Sequence, residues 1–376
     1  MKKLLFIHVK LVCGGAEKAL FDLLNLLDKK KYDISVLVLH DGGEWEQKFR
    51  DAGIRVLHSY DRQIPGRVIR NYLLRKRIDH AREHYGKGLI PLATGEKYDL
   101  VIDYHSLAYF KQVCLGVPGK KIKYIHGDVA TNHTLRGAVE AAKDVLLEYD
   151  RLICVSGEAG RAFADMTGLG DRCEVCYNPI DSRQIIGGAA EPVYDLPKQK
   201  YICAVGRLSP EKGFSRLIRI HKKLREQGLE HNLMIVGDGP ERAALEALVA
   251  ELDCRDSVIL TGYCANPYPY MKNSFCTVCA SFTEGLPVIA MEALCLGVPM
   301  VSAYPSVGEL FGDECCGIIT ENDDASLEEG IRKMLTDAEF YKQAKLGAEN
   351  RSSAFRAETM IKQVEQIYDA VMEETK

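Results

Sequence analysis

Short apolar runs alternate with segments of helical periodicity along most of the chain. Runs such as KLLFIHV, DISVLVL and YDLVIDY are apolar almost throughout, which is typical of strands buried on both faces of a parallel sheet. The segments between them, such as AEKALFDLLNLLDK, place apolar residues at the spacing of an amphipathic helix. This alternation predicts a doubly wound α/β architecture, in which helices cover both faces of parallel sheets.

The alternation stops once, between Pro179 and Lys200, where the sequence is rich in glycine and proline. We interpret this segment as an irregular linker between two Rossmann-like domains. A length of 376 residues also favours two domains, because single cores stop growing at about 250–300 residues. Apolar residues at helical spacing predict a long final helix over 355–376 that packs on another element. The predicted boundaries are 1–180 for the first domain, 181–198 for the linker and 199–354 for the second domain.

Composition and charge exclude several classes of protein. The formal net charge of -4 gives no overall electrostatic attraction to nucleic acid. No run approaches the roughly 20 apolar residues that a membrane-spanning helix needs. The apolar run after Met1 is too short for a signal peptide, so we interpret it as a buried first strand and expect a cytoplasmic protein.

The 13 cysteines are scattered through apolar segments, and their odd number favours reduced, buried thiols over a disulfide framework. Two CxxC pairs, Cys173 with Cys176 and Cys276 with Cys279, lie in strand-like segments. Residues at this spacing on a strand point to opposite faces, so we expect core packing here rather than a zinc site.

Residues that can bind an anion follow two of the predicted strands, at the strand ends where open parallel sheets bind ligands. Gly14 and Gly15 open a helix whose free N–H groups can face an anion, although a turn without a ligand explains them equally well. Gly206, Arg207 and Lys212 follow the first strand after the linker, and two cations beside a helix N-terminus suit a diphosphate. A solvated loop explains Lys212 easily, but it explains Arg207 less well.

The stretch FTEGLPVIAMEALCLGVP holds two glutamates in an apolar run. Pro287 suits the first turn of a helix, which places Glu284 in the preceding loop and Glu292 on the second turn. Both carboxylates can accept hydrogen bonds from sugar hydroxyls. The alternative is that Glu284 caps the helix and Glu292 faces solvent. We favour it less, because both acids flank the same helix start.

Three histidines, a glycine and a tyrosine near strand ends are further candidates. His126 ends the strand KIKYIH and is either a polar contact or acid/base group in a cleft or a structural histidine, with equal weight. His8 and His105 are weaker candidates. Gly262 and Tyr263 follow the strand DSVIL and could present backbone groups to a flat base.

A strongly basic segment lies at 62–88, where cations alternate with apolar residues. Such a segment can lie on an anionic membrane surface, at about 1 kcal/mol per near-surface cation. A solvated helix face explains the pattern equally well. The cations concerned are Arg67, Arg70, Arg75, Lys76 and Arg77.

Together these motifs resemble the glycosyltransferase family 4 enzymes of the GT-B fold. GGAE, IHGD, VSG, NPID, VGRLSPEKGF, IVGDGP, NPYPYM, EGLPVIAMEA and GVP occur in the family's order along almost the whole chain. The element EG-x-P-x4-EA, with GR-x4-K upstream, is the specific part of the match. The resemblance implies two Rossmann-like domains facing across a cleft, with the end helix crossing back to the first domain. It also implies retaining transfer of a hexose-type sugar from a UDP- or GDP-sugar, UDP being favoured, to an acceptor hydroxyl.

The resemblance carries roles for individual residues. It implies that the Gly15 N–H faces the diphosphate, and that Arg207 and Lys212 clamp the phosphates and stabilise the leaving group. Glu292 would bind the ribose, and Glu284 would hold hydroxyls of the donor sugar. The implied catalytic group is His126 near the reacting centre, Glu284, Arg207 and Lys212. The full set of implied donor contacts is Gly14, Gly15, Gly206, Arg207, Lys212, Gly262, Tyr263, Glu284, Gly285, Leu286, Pro287, Val288 and Glu292.

A site that supplies cations and helix N-termini stabilises a leaving diphosphate without a metal, so we expect no metal and no other cofactor. The expected partners are a nucleotide-sugar donor, a glycan or lipid-linked acceptor of cell-surface polysaccharide synthesis and, for the basic segment, the inner face of the cell membrane. Val288 departs from the polar residue that many relatives carry, which leaves the sugar preference open. The alternative function is a silent nucleotide-sugar-binding partner subunit. A nicotinamide-dependent oxidoreductase is disfavoured because the GxGxxG loop is absent.

Overall fold

A computed structural model describes residues 1–12, 14–39, 42–58, 96–105, 117–193 and 196–374. The chain divides into two compact units, each built on one all-parallel sheet. Unit 1 comprises Met1–Asn178 and Ile361–Lys376, and unit 2 comprises Pro179–Met360. Both sheets match the parallel architecture that the alternation predicts.

Unit 1 has a seven-stranded sheet in the order β3-β2-β1-β4-β5-β6-β7. Its strands are β1 Lys2–His8, β2 Tyr32–Val38, β3 Arg55–His58, β4 Leu100–Asp103, β5 Lys120–Ile125, β6 Arg151–Cys154 and β7 Cys173–Val175. Its helices before the unit boundary are α1 Gly15–Leu26, α2 Glu46–Asp51, α3 His133–Glu140, α4 Lys143–Leu146 and α5 Gly157–Thr167. The strand order reverses between β1 and β4, which is where such a sheet opens a crevice at its carboxyl edge.

Unit 2 has a six-stranded sheet in the order β10-β9-β8-β11-β12-β13. Its strands are β8 Tyr201–Val205, β9 Asn232–Val236, β10 Val258–Leu260, β11 Cys276–Cys279, β12 Met300–Ser302 and β13 Gly317–Ile319. Its helices are α6 Ser182–Ala189, α7 Phe214–Glu226, α8 Arg242–Glu251, α9 Tyr268–Lys272, α10 Val288–Cys295, α11 Val307–Phe311, α12 Asp324–Thr336 and α13 Ala338–Arg351. The order reverses between β8 and β11, so the loops after these two strands meet at the carboxyl edge.

The segment that we predicted as an irregular linker contains helix α6. The Asp181 side chain caps this helix by accepting from the N–H groups of Arg183 and Gln184. Ile185 is fully buried, and Asn266 Nδ2 donates to the Gly188 carbonyl at 2.9 Å. Each glycine in a helix costs about 1 kcal/mol relative to alanine, but an N-cap restores about as much and burial adds more. Capping and packing therefore outweigh the composition that suggested a linker.

The final helix, α14 Ala357–Glu373, runs across the unit boundary, and its residues from Ile361 belong to unit 1. The Tyr368 and Tyr124 hydroxyls are 2.9 Å apart in the buried interior. Tyr32 donates its hydroxyl hydrogen to Asp369 Oδ1 at 2.9 Å. The apolar face that the sequence predicts thus joins the core of unit 1. The hydroxyl groups of Tyr32 and Tyr124 hold the helix there.

In the described part of the chain every cysteine is a free thiol, including both members of the two CxxC pairs. Cys276 and Cys279 are buried within β11, and burial raises the pKa of Cys276 to about 12. These cysteines pack in the core, as we expected. Among the same residues no helix is both long and apolar enough to cross a membrane.

A buried chain of polar side chains lies in unit 2, away from the predicted site residues. His221 Nδ1 lies 3.0 Å from His231 Nε2, and His221 Nε2 lies 3.0 Å from Ser257 Oγ. His231 Nδ1 lies 2.9 Å from the Leu229 carbonyl oxygen and can only donate to it. Every ring nitrogen therefore has a partner while both rings are neutral. Burial, together with His231 and the charges of nearby cations, lowers the pKa of His221 to about 3.

We expect acid to destabilise the protein through this pair. Unfolded His221 has its ordinary pKa of 6.5 and binds a proton below it, whereas folded His221 stays neutral down to about 3. The stabilisation that neutral His221 contributes should therefore be fully present above about pH 6.5. As the pH falls from there toward about 3, the free energy of unfolding should decrease by about 1.4 kcal/mol per pH unit for this histidine. Chemical denaturation at a series of pH values will measure the slope. His221→Asn should be less stable at neutral pH but have a shallower slope, and parallel curves would reject this explanation.

Candidate functional site

Arg207 lies at the carboxyl end of β8 in unit 2, directly after Gly206. Its side chain is exposed, and it has no hydrogen bond or ion pair among the residues that the structure describes. The loop after β8 borders the point where the strand order reverses. The guanidinium can therefore bind an anion there, and the phosphate contact that we predicted for it stays a prediction.

Lys212 and Glu284 form an ion pair in the same region. Lys212 Nζ donates to Glu284 Oε1 at 2.5 Å, and Ser281 Oγ donates to the same oxygen at 2.7 Å. Burial lowers the pKa of Lys212, but the charge and hydrogen bond of Glu284 outweigh it, so the pKa lies above its ordinary value. Lys212 is therefore a cation at neutral pH. The sequence predicted roles for both residues but not this pairing.

The second oxygen of Glu284 is open to a ligand. Both hydrogen bonds of the carboxylate go to Oε1, and Oε2 has no partner within the described ranges. The side chain is 14% exposed, so the carboxylate is sheltered but can be reached. A carboxylate oxygen accepts hydrogen bonds and donates none, so Oε2 suits a hydroxyl group.

The loops that carry Lys212 and Glu284 are joined through their backbones. The Phe282 N–H donates to the Glu211 carbonyl at 2.8 Å. Gly213 has a φ of 67°, and a Cβ there would collide with the Ala280 carbonyl oxygen. Only glycine fits at this point, because its backbone adopts a left-handed conformation and the neighbouring backbone leaves no room for a Cβ atom. This close approach brings the motifs VGRLSPEKGF and EGLPVIAMEA together.

Glu292 lies on α10 and is only 5% exposed, so it does not face solvent. The Tyr268 hydroxyl donates to Glu292 Oε1 at 3.3 Å. Pro287 is the N-cap residue and the helix begins at Val288, one position later than we predicted. The buried Glu292 carboxylate thus accepts a hydrogen bond from a tyrosine, and the ribose contact predicted for it stays a prediction.

The remaining donor candidates of unit 2 lie in two loops. Gly262 has a φ of 81°, and its carbonyl accepts from the Gly237 N–H at 3.0 Å. This bond fixes the turn that presents Tyr263, whose side chain is 63% exposed. Leu286, by contrast, is buried and packs the loop that contains Gly285. The roles of these residues toward a nucleotide sugar stay predictions.

In unit 1, Gly14 is the N-cap residue of α1, and the helix begins at Gly15. A Cβ at Gly14 would collide with the Glu17 carboxylate, whereas a Cβ at Gly15 would meet nothing within 4 Å. That carboxylate is the flexible end of a side chain and can move, so packing among the described residues strictly requires neither glycine. The helix start at Gly15 is open, which is consistent with the predicted anion contact.

His126 follows β5 directly, and its ring packs against two tyrosines. The ring centroid is 4.3 Å from that of Tyr104 and 5.7 Å from that of Tyr124. Burial, with the nearby Lys123 charge, lowers the pKa of His126 to about 3. Its Nε2 is buried without a partner among the described residues. A neutral ring with an unsatisfied nitrogen suits a polar contact rather than a cationic role.

A buried charge network, which we did not predict, lies at the carboxyl ends of β4 and β5. Lys123 Nζ donates to Asp103 Oδ1 at 2.8 Å and to the His105 carbonyl at 2.7 Å. The Tyr149 hydroxyl donates to Asp103 Oδ2 at 2.6 Å, and the ring of His105 also contacts this carboxylate. The sequence signal was a charged residue inside each of two apolar strands. His105 thus has a structural partner, and His8 is buried with a pKa lowered to about 4 by burial and by His105.

Two further predictions concern the membrane and metals. The basic segment 62–88, with Arg67, Arg70, Arg75, Lys76 and Arg77, lies outside the described residues. Within the described residues, no group of three or more histidine, cysteine or acidic side chains is arranged to hold a metal ion.

Two protein-family models match consecutive parts of the chain. The model described as Glycosyltransferase Family 4 matches residues 13–184, and that described as Glycosyl transferases group 1 matches residues 191–351. The chain belongs to glycosyltransferase family 4. This family assignment confirms the resemblance that the motifs indicate.

Curated relatives of this family 4 chain include named glycosyltransferases. It is 35% identical over 187 residues to N-acetylgalactosamine-N,N'-diacetylbacillosaminyl-diphospho-undecaprenol 4-alpha-N-acetylgalactosaminyltransferase of Campylobacter jejuni, covering 49% of this chain and 50% of the relative. A second Campylobacter jejuni relative, an alpha-1,4-N-acetyl-D-galactosaminyltransferase, is 23% identical and is covered over 95% of its length. The lipopolysaccharide core biosynthesis glycosyltransferase LpsD of Rhizobium meliloti is 29% identical over 86% of this chain and 85% of its own. The matched region thus spans half of the first of these relatives.

Solved structures show the fold of this family 4 chain. Anabaena HepE, crystallised with UDP-glucose, superimposes with a TM-score of 0.75 at 18% identity, covering 98% of this chain and all of that one. Sucrose-phosphate synthase of Thermosynechococcus elongatus superimposes with a TM-score of 0.74 at 17% identity, over 99% of both chains. The fold is GT-B, which confirms the predicted fold class.

Proposed function

We propose that this glycosyltransferase moves a hexose-type sugar from a nucleotide diphosphate sugar, UDP-sugar being favoured, to an acceptor hydroxyl. The observation that carries the proposal is the group at the carboxyl edge of unit 2. An unpaired Arg207, a cationic Lys212 and a half-satisfied Glu284 lie on the loops after β8 and β11. These are the residue types that a diphosphate and a sugar require.

The charges suit the departure of a nucleotide diphosphate. Negative charge grows on the diphosphate as the bond to the sugar breaks, and fixed cations stabilise it where it develops. Lys212 keeps its positive charge because Glu284 is beside it, so the cation is present before the donor binds. We infer that the ammonium turns to the diphosphate in the bound state, while Oε2 of Glu284 receives sugar hydroxyls. Arg207 adds a second cation, and so we propose transfer without a metal.

The stereochemistry and the acceptor are further parts of the proposal. The family resemblance supports retention at the anomeric carbon, with His126 in contact with the sugar. Two relatives from Campylobacter jejuni carry undecaprenol acceptors in their names. This supports a lipid-linked glycan as the acceptor here, met at the inner face of the cell membrane.

The test is release of nucleoside diphosphate from a panel of donors in the presence of membrane lipid extract. The panel contains UDP-glucose, UDP-galactose, both UDP-N-acetylhexosamines and GDP-mannose. We expect turnover with a UDP-sugar that depends on the extract, persists in EDTA and yields an α-linked product from an α-linked donor. Turnover with none of the donors would contradict the proposal. Donor binding without turnover, restored by a second protein, would favour the silent partner subunit.

A further inference from the structure

The loop that carries Glu284 contains residues 280–287 and belongs to no helix or strand. A loop of this kind has no ladder of backbone hydrogen bonds, so other contacts must fix its conformation. The direction of the Glu284 carboxylate depends on those contacts.

Arg216 and Asn322 hold the first half of the loop. The Arg216 guanidinium donates to the Ala280 carbonyl through Nε at 2.9 Å and through Nη2 at 2.6 Å. Its Cζ atom also lies 4.1 Å from the ring centroid of Phe282. Asn322 Nδ2 donates to the Phe282 carbonyl at 3.1 Å. These contacts end two residues before Glu284.

Tyr304 holds the second half of the loop, at Glu284 itself. The Tyr304 hydroxyl donates to the Glu284 carbonyl oxygen at 2.5 Å. Tyr304 follows β12, the strand beside β11, and the Ser302 hydroxyl fixes its backbone. Ser302 Oγ accepts from the Tyr304 N–H at 3.0 Å and lies 3.1 Å from the Tyr304 carbonyl. The Tyr304 side chain therefore links the end of β12 to the loop that follows β11.

We propose that Tyr304 is a positioning residue for sugar transfer, whose hydroxyl fixes the peptide after Glu284 and thereby aims the Glu284 carboxylate. The inference rests on the proposed function, because it assigns Tyr304 a task in that site. Tyr304 is 1% exposed, and its hydroxyl hydrogen points to the protein backbone. It therefore acts through Glu284 and not by touching the donor.

The chain offers a matched control for the loss of this hydroxyl. Tyr201 is also buried in unit 2, and its hydroxyl donates to a backbone carbonyl, that of Tyr270, at 2.7 Å. It lies at the first residue of β8, the end opposite to the one that carries Arg207. Tyr304→Phe and Tyr201→Phe thus remove the same kind of bond at different places.

Hydrogen–deuterium exchange of the ligand-free variants tests whether Tyr304 fixes the loop. We expect the amides of 283–286 to exchange about fivefold faster in Tyr304→Phe, because one buried hydrogen bond is lost. Tyr201→Phe should leave these amides unchanged. Equal exchange in the parent and Tyr304→Phe would overturn the inference, and this result does not depend on any activity.

Transfer kinetics test whether the fixed loop matters for the reaction. In Tyr304→Phe we expect kcat to fall by about 10- to 100-fold, the usual cost of a misplaced group, while inhibition by UDP stays within about twofold. If the substitution only loosened the structure of the site, inhibition by UDP would weaken as well. Tyr201→Phe should keep both values within about twofold of the parent. Equal kcat in the two variants would overturn the inference, whereas a parent without turnover would contradict the proposed function and leave the exchange result to decide on Tyr304.

Discussion

Replacing Lys212 with alanine is expected to lower kcat/KM for sugar transfer by about 100- to 1000-fold, the usual effect of removing one group that stabilises transition-state charge. The ammonium is a cation in the free protein, because Glu284 raises its pKa despite burial. Without this ammonium, Arg207 is the one remaining cation of the proposed pair that can stabilise the leaving diphosphate. Glu284 also loses its ion-pair partner. Steady-state kinetics with the donor found in the panel will measure the change.

The control for this variant is Lys222→Ala. The side chains of Lys222 and Lys212 are both 29% exposed and both contact a glutamate, at 3.6 Å and 2.5 Å respectively. Lys222 lies on α7 and has no role in the proposed site. We expect its kinetics to match those of the parent. Similar losses in both variants would mean that a general electrostatic or stability effect, and not the site, is responsible.

Replacing Glu284 with glutamine should lower kcat/KM by about 100-fold, or roughly 2.7 kcal/mol of transition-state stabilisation. Glutamine keeps the size of the side chain but removes the charge and replaces one acceptor oxygen with a donor. The sugar hydroxyls then lose charge-assisted hydrogen bonds, which are about twice as strong as neutral ones. Kinetics that separate kcat from KM will show whether the loss arises after binding.

Glu328→Gln is the matched control for this second variant. The Glu328 carboxylate is 10% exposed, close to the 14% of Glu284, and it pairs with Lys223 at 2.6 Å and Arg332 at 2.7 Å. This glutamate lies on α12, outside the proposed site. We expect it to change stability but not transfer. A Glu284→Gln variant as active as Glu328→Gln would contradict the role given to Glu284.

The parallel strands could be predicted from the sequence because both of their faces are buried. Leu4, Leu5, Phe6 and Ile7 are fully buried in β1, which explains why the sequence there is apolar without alternation. Strand ends could be predicted for the same reason, since polar residues return where burial stops. Gly206 and Arg207 therefore lie where the pattern placed them.

Contacts between distant segments could not be predicted in this way. Lys212 and Glu284 are 72 positions apart, and Tyr304 follows Glu284 by 20. Periodicity describes one element at a time and says nothing about which side chains of two loops meet. The pairing depends on the sheet order and on the close approach at Gly213, which appear only in the folded unit.

At some residues the local sequence pattern was a poor guide to the structure, because packing opposed the local preference of the residues. Gly187 and Gly188 suggested a linker, but the cap at Asp181 and the burial of Ile185 make a helix there. Asp103 and Lys123 are charged residues inside strands, where each would be costly alone. Their mutual contact offsets that cost, and only the neighbouring positions of β4 and β5 reveal it.

The central claim is that Lys212 binds the diphosphate of the donor and that Glu284 binds its sugar. Calorimetric titration of UDP into the parent, Lys212→Ala and Glu284→Gln tests it most directly. We expect Lys212→Ala to bind UDP at least about tenfold more weakly, a loss of about 1.4 kcal/mol. Glu284→Gln should bind UDP as tightly as the parent or more tightly, because Lys212 no longer has an internal counter-charge. Equal weakening in both variants, or a parent that does not bind UDP, would contradict the claim.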